Sequence, residues 1–160
     1  MGVARKPTVL LIDDELLTIM RWFPVRMRKH GFNVISCESF GKAVDLLLAI
    51  NDETQKRIDA VILDIMFPLS AASQEAFKRL TSHTPNGLTD AMGAGMTLLP
   101  LIREKLPSKP VAVLTSVPEE TSGVEGSLAG NVELFQRKPA DESFFSELKE
   151  LIEKAQEAST

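Results

Sequence analysis

Three short, unbroken apolar runs, each stopping at an acid or a hydroxyl, set the tightest limit on how this chain folds. They are Thr8-Val9-Leu10-Leu11-Ile12 before Asp13-Asp14-Glu15, Ala60-Val61-Ile62-Leu63 before Asp64, and Val111-Ala112-Val113-Leu114 before Thr115-Ser116. Runs of this length, without polar alternation, read as strands buried on both faces. Phe32 to Cys37 and Val132 to Phe135 read as two further strands, the last followed by Gln136-Arg137-Lys138-Pro139. The segments between them have helical spacing. One helix is expected from Leu16 to Lys29, closed by His30-Gly31. A second is capped by Ser39 and carries Phe40, Ala43, Val44, Leu47 and Leu48 on one side. A third runs from Met96 to Leu106, and a last from about Glu142 to Ala155. A short amphipathic helix fits 71–80, Thr84-Pro85-Asn86-Gly87 marks a turn, and Asn51 to Arg57 reads as a polar connection. Val117 to Gly130 should hold a helix weakened by Gly123, Gly126 and Gly130.

This order is strand–helix five times over. It implies an α/β fold in which a parallel sheet is covered by helices on both faces, with right-handed crossovers. Ligands in such sheets sit beyond the carboxyl ends of the strands, so the strand-ending residues carry the information. At 160 residues the chain makes one domain. With 44% hydrophobic and 25% charged residues it is neither disordered nor fibrous. No apolar run approaches the ~20 residues of a membrane-spanning helix, and Met1 to Pro7 lacks the apolar core of a secretory leader. The single cysteine, Cys37, fits a reducing compartment, so a cytoplasmic location is expected. A net charge of −4 argues against direct nucleic-acid binding.

The strand ends hold Asp13, Asp14 and Asp64, then Thr115 and Ser116, then Lys138. Three carboxylates at one edge repel one another unless a cation joins them. Oxygen-only ligands suit a hard ion such as Mg²⁺. A hydroxyl and an ammonium beside them are what a phosphoryl group requires. Asp64, alone at the end of the central strand, is the expected nucleophile, since an aspartyl phosphate is a recognised covalent intermediate.

Taken together, Val9-Leu10-Leu11-Ile12-Asp13-Asp14-Glu15, Asp59 to Pro68, Ala112 to Ser116 and Phe135-Gln136-Arg137-Lys138-Pro139 resemble the receiver domains of two-component response regulators. The resemblance implies a flavodoxin-like fold with strand order 2-1-3-4-5. It makes Asp64 the phosphoacceptor. Mg²⁺ would be bound by Asp14 and Asp64, by Asp13 mainly through water, and by the main-chain carbonyl of Met66. Thr115, with Ser116 beside it, and Lys138 would bind phosphoryl oxygens, Phe135 would turn inward as Thr115 moves, and the Lys138–Pro139 bond would be cis. The implied partners are a histidine kinase or a histidine phosphotransfer protein and a downstream effector protein, with no membrane, and a homodimer is compatible with them. Such a domain is a signalling switch in a phosphorelay, not a conventional enzyme. An alternative is a receiver-like docking module that binds partners without being phosphorylated. An aspartyl-phosphate phosphatase would want a carboxylate where Met66 stands, and in a flavodoxin Asp13-Asp14-Glu15 would repel the cofactor's phosphate.

The chain has several features that set it apart within the family pattern. About twenty additional residues make an insertion at about 69–94, either a tolerated surface loop or a partner-docking arm. Pro24 falls inside the first helix, where it should kink or break it. Pro100 is milder if it falls in a first turn. Met66 and Val117 carry no group that could orient an attacking water, which predicts slow self-dephosphorylation.

Overall fold

The computed structural model describes residues 4–65, 95–116 and 132–159. Met66, Pro68, the insertion at 69–94, Val117 and the helix expected over 117–130 lie outside the described residues. The described chain forms β1 (Thr8–Ile12), a 3₁₀ helix (Asp14–Leu17), α1 (Phe23–Lys29), β2 (Asn33–Cys37), α2 (Phe40–Leu48) and α3 (Asp52–Arg57). It continues with β3 (Ala60–Leu63), a 3₁₀ helix (Gly95–Thr97), α4 (Leu98–Lys105), β4 (Val111–Thr115), β5 (Leu134–Arg137) and α5 (Glu142–Ala158). The five strands form one parallel sheet in the order 2-1-3-4-5, as expected.

Both faces of the sheet are covered, which is why its central strands read as unbroken apolar runs. Leu10, Ile12, Val61, Leu63, Val111 and Val113 point one way, against Phe40, Val44 and Leu47 of α2 and Leu98 and Ile102 of α4. Val9, Leu11, Ala60, Ile62, Ala112 and Leu114 point the other way, against Phe23 and Met27 of α1 and Phe144, Phe145, Leu148 and Ile152 of α5. Each fully buried Leu, Ile or Phe contributes roughly 1.5–3 kcal/mol relative to exposure. Phe145 joins α1 to α5, with Phe23 at 5.8 Å and His30 stacked on it at 4.0 Å. His30 is therefore partly packed.

Three elements differ from the sequence reading. The expected helix from Leu16 to Lys29 is split, and α1 starts only at Phe23, with Pro24 in its first turn. There the missing N–H of proline is not needed and its fixed φ suits a helix start. Residues 18–22 form turns, which leaves Leu17, Ile19 and Trp22 76%, 78% and 64% exposed. The polar connection after α2 contains α3. Asn51 caps it by accepting from the Thr54 N–H at 3.0 Å, with Asp52 and Glu53 in its first turn and Lys56 and Arg57 in its last. β5 is Leu134–Arg137 and not Val132 to Phe135, with Glu133 N–H bonded to the Val111 carbonyl just before it. The Ser39 cap of α2 is present, accepting from the Lys42 N–H, and Pro100 falls in the first turn of α4.

Gly95 packs directly on the backbone that leaves β3. Its N–H donates to the Ile65 carbonyl at 3.1 Å, and a Cβ there would lie 2.3 Å from Ile65 Cα and 2.6 Å from the Asp64 carbonyl oxygen. Gly95→Ala must push these two chain segments apart. We expect it to lower stability by about 1–3 kcal/mol in urea unfolding, the range of an overpacked core. An unchanged midpoint would show that the contact yields freely.

Candidate functional site

The site is assembled by backbone hydrogen bonds that carry the sheet ladder one residue past the strands. The Asp13 N–H donates to the Cys37 carbonyl at 3.0 Å, the Asp64 N–H to the Ile12 carbonyl at 2.8 Å, and the Lys138 N–H to the Thr115 carbonyl at 2.9 Å. These bonds set Asp13, Asp64, Thr115 and Lys138 side by side at the carboxyl edge. The Lys138–Pro139 peptide bond is cis.

At the centre lies the Lys138 ammonium, whose side chain is 7% exposed. It contacts Glu15 Oε1 at 2.7 Å, Asp13 Oδ2 at 2.8 Å and Asp64 Oδ2 at 3.1 Å. The Thr115 hydroxyl donates to Asp64 Oδ1 at 2.9 Å, so each oxygen of the buried Asp64 carboxylate accepts a donor. Asp13 Oδ1 accepts the Glu15 N–H at 2.8 Å and so caps the 3₁₀ helix. Burial, followed by the charge of Asp64, pushes the carboxyls of Asp13 and Asp14 up to about 6. Burial alone would lower the Lys138 ammonium, but Asp64, Asp13 and Glu15 together hold it above its ordinary value.

Asp13, Asp14, Glu15 and Asp64 each offer a carboxylate oxygen, and these atoms lie within 4.8 Å of one another. Asp14 Oδ1 is buried and has no hydrogen-bond partner among the described residues. A buried carboxylate oxygen without a donor is costly unless a cation completes it. The all-oxygen donor set therefore fits a hard divalent ion. Beside the cluster a groove of about 360 Å³ opens between the 18–22 turns, α1 and the loop after β5, lined among others by Ile19, Trp22, Arg26, Ser116 and Lys138.

No protein-family model and no curated protein matches the sequence. Solved structures do. A response regulator receiver domain protein from Clostridium thermocellum is 20% identical over 96% of each chain, with a TM-score of 0.59. The signal receiver domain of an HD domain-containing protein from Pseudomonas fluorescens Pf-5 is 20% identical over 96% of this chain and 99% of that one, with a TM-score of 0.62. The chain has the response-regulator receiver fold. A similar fold occurs in a protein described as an adenylate cyclase from Rhodopirellula baltica, at 17% identity, 96% and 93% coverage and a TM-score of 0.62. Likeness at this level carries the receiver architecture and not an activity.

On this receiver fold the structure brings together Asp13, Asp14, Asp64, Thr115 and Lys138. Ser116 is exposed at the rim, with its hydroxyl 3.5 Å from Glu15 Oε1. Phe135 is half-buried, packed toward the α2 and α4 side of the sheet with the Arg137 guanidinium 5.6 Å from its ring. Met66 lies outside the described residues. Cys37 is buried at the end of β2, and burial pushes its thiol up to about 11, as for a packed and unreactive residue. Glu15 is the site residue to which sequence reasoning gave no role. Its signal was only its place as a third acid after β1, on a turn tight enough to bring it back to the edge.

The raised carboxyls give a pH prediction. Asp13 and Asp14 would titrate near 3.8 when unfolded but titrate at about 6 when folded. Between those values the folded chain holds more protons than the unfolded one, so stability grows as pH falls through about 6. The metal-free protein should show a higher Tm at about pH 5 than at about pH 7.5 by scanning calorimetry. Mg²⁺ should raise Tm more at the higher pH, where protons no longer compete. A Tm without pH dependence in this window would show that the acids are not strained.

Proposed function

We propose that this chain is a single phospho-accepting receiver domain, residues 1–160, with an insertion at about 69–94. It acts as a cytoplasmic signalling switch in a two-component phosphorelay. The observation that carries this reading is Asp64, a buried carboxylate at the open edge of a receiver fold, with the Thr115 hydroxyl on one oxygen and the Lys138 ammonium on the other.

In this reading an Asp64 oxygen attacks the phosphorus of a phosphohistidine on a histidine kinase or histidine phosphotransfer protein. The phosphorus–nitrogen bond breaks, the imidazole leaves with the electron pair, and an acyl phosphate forms. Thr115 and Lys138 already point their donors at the carboxylate and need to shift only to the phosphoryl oxygens. Asp13, Asp14 and Asp64, with the Met66 carbonyl, would hold Mg²⁺, and the ion when bound offsets negative charge on those oxygens. Phe135 follows Thr115 and reports the change to a downstream effector protein through protein contacts, without direct nucleic-acid binding.

The groove beside Lys138 supports access by a protein donor, because Ile19 and Trp22 offer apolar surface next to a reactive edge that is otherwise charged. The same exposed side chains favour a second reading, a docking module that binds partners without taking phosphate. One measurement separates the two. Incubated with Mg²⁺ and acetyl phosphate, the protein should gain the mass of one phosphoryl group, and Asp64→Asn should not. No gain in the wild type leaves the docking module. Followed over time, the phosphoryl group should persist for minutes, because Met66 and Val117 cannot orient water. Loss within seconds would contradict this.

A further inference from the structure

Glu15 has no part in the reaction described above, yet it makes the shortest contact to Lys138, 2.7 Å against 2.8 Å for Asp13 and 3.1 Å for Asp64. A lysine ammonium has three N–H donors. In this arrangement the three are matched by three carboxylates. The N–H turned to Asp64 can pass to one phosphoryl oxygen, but any further bond from the ammonium to the phosphoryl group needs a second contact to break, and the surroundings decide which. Asp13 is sealed, with its side chain 2% exposed and its second oxygen committed to the Glu15 N–H. Glu15 is 22% exposed, the most of the three, and has a longer side chain that can swing into water. Its departure also thins the negative charge of a site where three carboxylates contact one ammonium and the Asp14 carboxylate lies beside them.

We propose that Glu15 is a resting-state counter-ion for Lys138, a positioning residue whose release lets the ammonium give the phosphoryl group more than the one N–H it already turns toward Asp64. It thereby sets how readily Asp64 is phosphorylated. Its carboxylate also lies 3.5 Å from the Ser116 hydroxyl, so its release frees a second donor at the rim. The proposal rests on Asp64 being the phosphoacceptor.

The test compares the wild type with Glu15→Gln, which keeps size and loses charge, and with Glu15→Asp, which is one methylene too short to keep the contact. At saturating Mg²⁺, the affinity for beryllium fluoride, a phosphoryl mimic, is read by calorimetry, and the Lys138 side-chain ammonium signal is read by NMR. Both variants should bind the mimic severalfold more tightly than the wild type. The ammonium signal should shift when the mimic binds to the wild type, and in metal-loaded Glu15→Gln it should already be displaced before any mimic is added. A residue that only shapes the turn would not move that signal. If Glu15→Gln does not fold, Glu15→Asp carries the comparison. Equal or weaker binding by the variants, with a wild type that binds the mimic and takes phosphate on Asp64, overturns the role of Glu15 alone. A wild type that does neither overturns the phosphoacceptor reading and this proposal with it.

Discussion

The Lys138 ammonium stands among Asp13, Glu15 and Asp64 in a setting nearly closed to water, and the acidic edge depends on it. Like charges a few ångströms apart in a poorly solvated site repel strongly, and burial adds to the penalty. The sheet supplies what the side chains cannot. Its ladder extends through Asp13, Asp64 and Lys138, so the acids are held together by backbone bonds and by apolar packing on both faces. The energy that keeps the site in this state comes from the core, and the site stores part of it as raised carboxyl pKa values.

The opposite end of the sheet shows what a settled buried acid looks like. Asp59 is buried like Asp13 and Asp64 of the acidic edge, but one Arg5 guanidinium nitrogen reaches both its oxygens, at 2.9 and 3.0 Å, and the Thr8 N–H donates to it at 2.8 Å. Its partners close it off, and they tie the chain start to the beginning of β3. Asp14, with a buried oxygen unsatisfied among the described residues, has no such closure. The two ends differ in satisfaction and not in charge, and that difference separates a structural acid from one that awaits a ligand.

Much of this was legible in the sequence. The strands announced themselves because strands buried on both faces leave no polar alternation, and the strand-ending residues followed from the topology. The rest was hidden for physical reasons. α3 buries no residue, so it carries no apolar stripe and is signalled only by its cap and its charges. The first helix kept helical spacing through Leu16 and Met20, both buried, although those residues lie outside α1. Spacing alone cannot show that Pro24 starts a helix and does not break one. Glu15 was hidden because its role depends on a 3₁₀ turn that returns it to Lys138, and a third acid after a strand ordinarily faces water.

The late start of α1 has one more consequence. Because the chain turns through residues 18–22 before Pro24, the only tryptophan of the protein, Trp22, stands largely in solvent on the wall of the groove that leads to Lys138. The Arg21 guanidinium lies 5.2 Å from its ring. The molecule thus carries a native optical probe at the mouth of its acidic edge. Its emission reports on that mouth alone, with no background from any other indole.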